Sequence, residues 1–159
     1  MIKTQKATFA MGCFWGPELL FDNAPGVLET TVGFMGGDEK KFPNPSYKQV
    51  CYRKTGYAEV TQIIFNPKKI TYKELLDIFW KNHNPTSKNR QGFDFGTQYR
   101  SAIFYHTEKQ KKAAIESKKE KQREFKKPIQ TEIKKAATFF KAEEYHQKYL
   151  EKKGQKVCH

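Results

Sequence analysis

The junction at Gly12 limits how this chain can fold more than any other feature of the sequence. The apolar run of residues 6–11 predicts a strand, and Gly12 ends it. Pro17 lacks a backbone N–H and fits only the first turn of a helix, so we expect a helix over about residues 13–23. The Cys13 thiol would then lie at or next to the N-cap of that helix.

Runs of apolar and polar residues predict the remaining elements. Strands are expected at residues 27–35, 57–65, 98–106 and 130–134, and helices from the capping residues Thr71 and Thr107 and over residues 142–152. The 57–65 run is apolar on both faces, which is typical of a central strand. We therefore predict an α/β (α+β) fold in which residues 1–159 form a single-domain two-layer sandwich with a mixed sheet and a ferredoxin-like core.

Two segments lie outside this pattern of elements. Residues 84–96 form a loop rich in glycine, asparagine and charge, and loops of that length are often functional. Residues 154–159 form a predicted flexible tail that carries Cys158. A mobile tail suits a resolving thiol, which must reach a second sulfur and then a reductant. The other interpretation of Cys158 is an incidental terminal thiol.

The net charge of +13 suggests nucleic-acid binding as one function class. Much of the excess falls at residues 109–135, where glutamates are interspersed among the lysines, as on a solvated helix face. This helix lacks the interleaved aromatics that a single-stranded nucleic acid would stack on. We therefore expect no nucleic-acid partner, with a basic nucleic-acid-binding domain carrying an incidental thiol as the alternative.

The apolar runs indicate the cellular compartment, and the cysteine spacing limits the chemistry that the chain can perform. No apolar run reaches the roughly 20 residues that span a bilayer, and the N-terminal segment has no signal-peptide apolar stretch. We expect a cytoplasmic monomer without membrane association. The three cysteines (Cys13, Cys51 and Cys158) show no C-x-x-C pair and no zinc-ligand spacing with the histidines, so neither a disulfide framework nor a metal site is expected.

Cys13 is the strongest candidate for chemistry. Backbone N–H groups at a helix N-terminus favour a thiolate, which is the nucleophilic form of cysteine. The flanking glycines would let a substrate approach, and Phe14 and Trp15 could form an apolar wall beside the sulfur. The alternative is a buried core cysteine between two core aromatics. A cysteine hydrolase would also need a histidine base near this thiol.

Several polar side chains could assist this thiol. Glu59 alternates with apolar residues along the 57–65 strand, so its carboxyl should be desolvated and hold a proton, as a general acid requires. Asp94 lies between two phenylalanines in the long loop, and Tyr47 and Tyr99 lie near polar turns. The alternatives are a surface ion pair for Glu59, backbone capping for Asp94 and core-edge packing for the tyrosines. Cys51 is interpreted as structural.

Seven short motifs occur in one order along the chain. They are GCFWG at 12–16, GFMGG at 33–37, NPSY at 44–47, GYAE at 56–59, HNPT at 83–86, RQGFD at 90–94 and GTQYRS at 96–101. On these residues the chain resembles the A-type peptide methionine sulfoxide reductases, in motif detail over residues 6–106 and in outline to the C-terminus. The hydrolase alternative needs a histidine base, and the motifs that contain the candidate catalytic residues have no histidine.

The resemblance implies an activity and a set of residue roles. It implies reduction of the S epimer of methionine sulfoxide, free or in oxidised proteins, without a cofactor, and recycling by thioredoxin or a similar dithiol. It implies that Cys13 is the nucleophile, which forms a sulfenic acid, and that Cys158 resolves this to a disulfide. The remaining implied roles are a methyl pocket (Phe14 and Trp15), an acid (Glu59), hydroxyl donors to the sulfoxide oxygen (Tyr47 and Tyr99) and a substrate-positioning carboxylate (Asp94).

Overall fold

The structure is a computed structural model that describes residues 3–152. Its strands are β1 (Gln5–Met11), β2 (Val27–Met35), β3 (Ala58–Phe65), β4 (Arg90–Gln91), β5 (Asp94–Phe95), β6 (Ser101–Tyr105), β7 (Glu132–Lys135) and β8 (Phe140–Lys141). Its α-helices are α1 (Trp15–Asp22), α2 (Tyr47–Tyr52), α3 (Tyr72–Lys81), α4 (Glu108–Gln122) and α5 (Tyr149–Lys152). Short 3-10 helices span Thr97–Tyr99 and Glu144–His146.

Six strands form one sheet in the order β7-β6-β1-β3-β2-β8. β7 runs parallel to β6, and the other neighbours in this sheet are antiparallel. The mixed α/β fold predicted from the sequence is therefore confirmed, and so is the central position of β3. β4 and β5 pair with each other as a separate hairpin.

Helices α1, α3 and α4 cover one face of the sheet. Phe9 of β1 lies at the centre of this layer, where its ring centroid is 5.5 Å from that of Phe21 on α1 and 5.2 Å from that of Phe79 on α3. Thr71 and Glu74 form the predicted capping box that begins α3. Burial of these apolar faces stabilises the position of α1, and with it the junction that carries Cys13.

The helix predicted over residues 142–152 is confirmed only at its end, over Tyr149–Lys152, and is wrong over residues 142–148. The chain first pairs with the edge of the sheet through β8, then makes a 3-10 turn and only forms helix from Tyr149. The Gln147 side chain accepts from the Val32 N–H and donates to the Val32 carbonyl, both at 2.9 Å. Lys148 follows with a φ of 57°. These contacts with β2 override the helical propensity of the segment.

Three other differences concern short elements. Helix α2 was not predicted, although Ser46 and Gln49 form a capping box at its start. The fourth predicted strand begins at Ser101 rather than at residue 98 because the 3-10 turn of Thr97–Tyr99 precedes it. The long loop contains the β4–β5 hairpin, which has only two residues in each strand. The predicted tail, residues 154–159, lies outside the described residues, and Cys158 with it.

Candidate active site

Cys13 lies between the end of β1 and the start of α1. Phe14 is the N-cap residue of α1, so Cys13 directly precedes the cap, as the sequence predicts. Gly12 makes the junction tight: it has a φ of 91°, and a Cβ there would be 2.8 Å from the side chain of Gln91. Cys13 is only 8 % exposed, less than the accessible thiol that the sequence predicts. Cys13 is therefore a buried residue rather than an open one.

Glu59 joins the central strand to the head of α1. Its side chain is in the interior, 1 % exposed, and its Oε1 accepts from the backbone N–H of Phe14 at 3.3 Å. Phe14 follows Cys13 in the chain, so this bond brings the Glu59 carboxyl close to the thiol. The desolvation predicted for Glu59 is observed, and its burial does not fit the surface ion pair that was the alternative.

Tyr99 lies among the other polar candidates. Burial raises the pKa of the Tyr99 hydroxyl, and the nearby Glu59, Cys51, Asp94 and Cys13 raise it further because each can carry a negative charge. Their joint influence means that they lie within electrostatic range of one hydroxyl. The folding of β3, the β4–β5 hairpin and the β1–α1 junction thus brings together residues that are up to 86 positions apart in the sequence.

Tyr47 is the first residue of α2 and lies within electrostatic range of Glu59 and Tyr99. Burial is the main cause that raises the pKa of its hydroxyl, followed by the charge of Glu59. Both candidate tyrosines therefore keep their protons at neutral pH and can donate hydrogen bonds. Glu143 holds the start of α2 by accepting from the Tyr47 backbone N–H at 3.1 Å.

Cys51 lies closer to these groups than its structural interpretation suggests. It is half-buried on α2, one turn after Tyr47. Burial raises the pKa of the Cys51 thiol, and the charge of Glu59 raises it further, while Tyr47 and Gln98 act in the opposite direction by hydrogen bonding. The net effect favours a protonated thiol, which is a weak nucleophile.

Phe14 and Trp15 have different surroundings. Phe14 is 1 % exposed and packs in the interior with Phe34, so it supports the site from within the core. Trp15 is half-buried, and its ring stacks on Tyr149 with centroids 3.9 Å apart. Of the two aromatics predicted to form an apolar wall, Trp15 is therefore the one with surface left to contact a ligand.

His146 is a residue that sequence reasoning missed. Its Nδ1 accepts from Trp15 Nε1 at 3.2 Å, and its ring centroid is 4.2 Å from that of Tyr47. Nδ1 is the acceptor, so the proton of the neutral ring is on Nε2, which is buried without a hydrogen-bond partner among residues 3–152. Burial lowers the pKa of His146. No motif could have found this contact, because 131 positions separate His146 from Trp15.

Residues 3–152 contain neither a metal-binding cluster nor a membrane-spanning helix. No group of three or more histidine, cysteine, aspartate or glutamate side chains there could hold a metal ion. Within the same residues, no helix combines the length and the apolar character needed to cross a bilayer.

Comparisons with known proteins agree on one family. A family model described as peptide methionine sulfoxide reductase matches residues 5–159. The peptide methionine sulfoxide reductase MsrA of Methanosarcina acetivorans is 56 % identical over 152 residues, which cover 94 % of this chain and 79 % of that protein. A rice relative, peptide methionine sulfoxide reductase A2-1, is 53 % identical over 149 residues, covering 94 % of this chain and 78 % of that protein.

Solved structures show the same fold. Reduced Mxr1 from Saccharomyces cerevisiae superimposes with a TM-score of 0.91 at 42 % identity, covering 96 % of this chain and 87 % of that one. Mxr1 in complex with Trx2 has a TM-score of 0.65 at 28 % identity, covering 92 % of this chain and 85 % of that one. By its family match, its sequence identity and its fold, the chain belongs to the peptide methionine sulfoxide reductase family.

Proposed function

We propose that this oxidoreductase reduces the S epimer of methionine sulfoxide, free or within oxidised proteins, through a nucleophilic Cys13. The observation that carries this proposal is the arrangement at the head of α1, where the buried Glu59 carboxyl binds the backbone N–H that follows Cys13 and lies within electrostatic range of Tyr47 and Tyr99. A sulfoxide has a polar oxygen and an apolar methyl group, so it needs hydrogen-bond donors beside an aromatic surface. Trp15 supplies that surface next to Cys13.

In the proposed first step the Cys13 thiolate attacks the sulfoxide. Negative charge then develops on the sulfoxide oxygen, which receives a proton from Glu59 and hydrogen bonds from Tyr47 and Tyr99. One such donor can stabilise a transition state by about 3 kcal/mol. The oxygen ends on Cys13 as a sulfenic acid, and methionine leaves. Asp94 positions the substrate beside these groups.

In the proposed second step the oxidised enzyme is recycled. The Cys158 thiol attacks the Cys13 sulfenic acid, which releases water and leaves a disulfide between the two residues. A thioredoxin dithiol then reduces that disulfide by thiol–disulfide exchange. The solved complex of the related Mxr1 with Trx2 supports a reductant of this class. No cofactor takes part in either step.

We further propose a cytoplasmic monomer that binds neither nucleic acid nor membranes. The basic helix α4 supports this choice against the nucleic-acid alternative. Glutamates are interspersed among its lysines, and Lys121 pairs at 3.1 Å with Glu124, which lies just beyond the end of the helix. A surface with both signs of charge is weaker in attracting phosphates than a continuous cationic stripe.

Replacement of Cys13 tests the proposed nucleophile. Cys13→Ser should lower the rate of methionine S-sulfoxide reduction with dithiothreitol by at least about a thousandfold, because a serine hydroxyl is not ionised at neutral pH. Cys51→Ser is the matched control and should keep most of the activity. A Cys13→Ser enzyme with near wild-type turnover would exclude Cys13 as the nucleophile.

A further inference from the structure

Two phenylalanines next to the candidate site are exposed to solvent. Phe93 is 91 % exposed and Phe95 is 63 % exposed, whereas the other eleven of the thirteen phenylalanines are buried or half-buried. Exposed rings of this size contribute little to folding. Contiguous exposed apolar surface commonly marks an interaction site.

The hairpin that carries these rings is held by several contacts. The Arg90 guanidinium lies 4.3 Å from the centroid of the Phe95 ring, and its Nη2 donates to the Gly92 carbonyl at 2.9 Å. The Gly96 N–H donates to the Asn89 carbonyl at 2.9 Å and closes the hairpin. Phe93 lies in the turn between β4 and β5 and Phe95 follows two residues later on β5, so both rings belong to one short hairpin.

Exposed aromatic rings adjoin the candidate site at two places, the β4–β5 hairpin and Tyr145. The β4–β5 hairpin packs against the β1–α1 junction, because a Cβ at Gly12 would lie 2.8 Å from the side chain of Gln91, which pairs with Asp94. Tyr145 is 60 % exposed, and its ring centroid is 4.0 Å from that of His146, which binds Trp15. We call Phe93, Phe95 and Tyr145 the aromatic rim.

An exposed aliphatic side chain offers a contrast. Leu28 is 50 % exposed near the start of β2, where its neighbour Val27 pairs with Phe65. Glu59 instead pairs with Phe34, six residues further along β2 than Leu28. At about 3.3 Å per residue this separation is roughly 20 Å, so Leu28 is remote from the site.

We propose that the aromatic rim binds the residues that flank an oxidised methionine in a polypeptide, and that it favours apolar neighbours. This inference rests on the proposed function, because it assumes that the sulfoxide enters the site beside Cys13. A polypeptide advances about 3.3 Å per residue, so the first residues on either side of the sulfoxide stay near Cys13, beside the hairpin that packs against the β1–α1 junction. The chemistry that fits the rim is an extended segment with aliphatic or aromatic side chains.

The test compares three substrates with one double variant. Phe93→Asn combined with Phe95→Ser should lower kcat/KM about tenfold for a peptide with leucine and phenylalanine flanking the methionine S-sulfoxide. The same variant should leave kcat/KM unchanged for free methionine S-sulfoxide and nearly unchanged for a peptide with serine on both sides. Leu28→Asn is the matched control and should change none of the three values.

The outcomes separate the rim from the proposed function. A wild-type enzyme inactive on all three substrates would overturn the proposed function, and the rim with it. Wild-type activity on free methionine S-sulfoxide, combined with a double variant that keeps its preference for the apolar peptide, would overturn the rim alone. Equal losses on all three substrates would also overturn the rim, because they would indicate damage to the site rather than lost contacts with flanking residues.

Discussion

At the scale of single residues, the site depends on how one thiol is surrounded. Cys13 precedes the N-cap of α1, and the adjacent backbone N–H of Phe14 is already engaged by Glu59. The same carboxyl raises the pKa of Tyr47 and Tyr99, after burial. Glu59 thus contacts the head of the helix and also lies within electrostatic range of both tyrosine hydroxyls.

The first residue-scale prediction concerns Glu59. Glu59→Gln keeps a side chain of the same shape that can donate a hydrogen bond but cannot supply a proton. We expect kcat for methionine S-sulfoxide to fall about a hundredfold, while the free energy of unfolding changes little. Single-turnover release of methionine measures this step without the recycling reaction. An unchanged single-turnover rate would remove Glu59 from the role of acid.

The second residue-scale prediction concerns His146. His146→Phe removes the acceptor for Trp15 Nε1 and should raise KM for methionine S-sulfoxide several-fold, because the Trp15 ring loses its hydrogen bond. The tryptophan fluorescence spectrum should also change. His146→Gln can accept from Trp15 again and should restore part of the affinity. If both variants have the wild-type KM, the contact has no role in substrate binding.

At the scale of elements, residues 142–149 act as a strap across the site. Glu143 binds the start of α2, His146 binds Trp15 and Gln147 binds both backbone groups of Val32. The Lys148 backbone N–H adds a bond to the buried Glu18 carboxylate on α1. The contacts of these four residues therefore connect two helices and the sheet beside the aromatic side chains of the site.

Gln147 provides a prediction for this strap. Gln147→Ala leaves the N–H and carbonyl of Val32 without their side-chain partner in the interior, so we expect the free energy of unfolding to fall by about 2 kcal/mol. Urea denaturation measures the change. Gln130→Ala, at an exposed glutamine, is the control and should lie within about 0.5 kcal/mol of the wild type. Equal stability of the two variants would show that the strap is not held by Gln147.

At the scale of the whole molecule, the sequence predicted the sheet and the long helices but not the strap. The strands around Phe9 and Ile63 and the helix capped by Thr71 follow from local periodicity and capping. The strap follows from contacts such as Gln147 with Val32, 115 positions apart, which no local pattern encodes. The burial of Glu59 could be predicted because it follows from local alternation along its strand. The His146–Trp15 contact could not be predicted, because the two residues are 131 positions apart.

Acid stability supplies a prediction at this scale. Burial lowers the pKa of His83 from 6.5 to about 4. The unfolded chain therefore takes up this proton first, and stability present above pH 6.5 is lost as the pH falls towards 4. The loss from this group is up to about 3 kcal/mol. His83→Gln should show a smaller decrease in the free energy of unfolding between pH 7 and pH 4, and an equal decrease in both proteins would contradict the assignment.

The most direct test of the account is the fate of the two sulfoxide epimers. The purified enzyme is given an equal mixture of methionine S-sulfoxide and R-sulfoxide with excess dithiothreitol, and both epimers are followed by chiral chromatography. We predict that the S epimer disappears completely and that the R epimer persists at its starting concentration. Consumption of the R epimer at a comparable rate, or persistence of both, would contradict a site built around Cys13 for the S epimer.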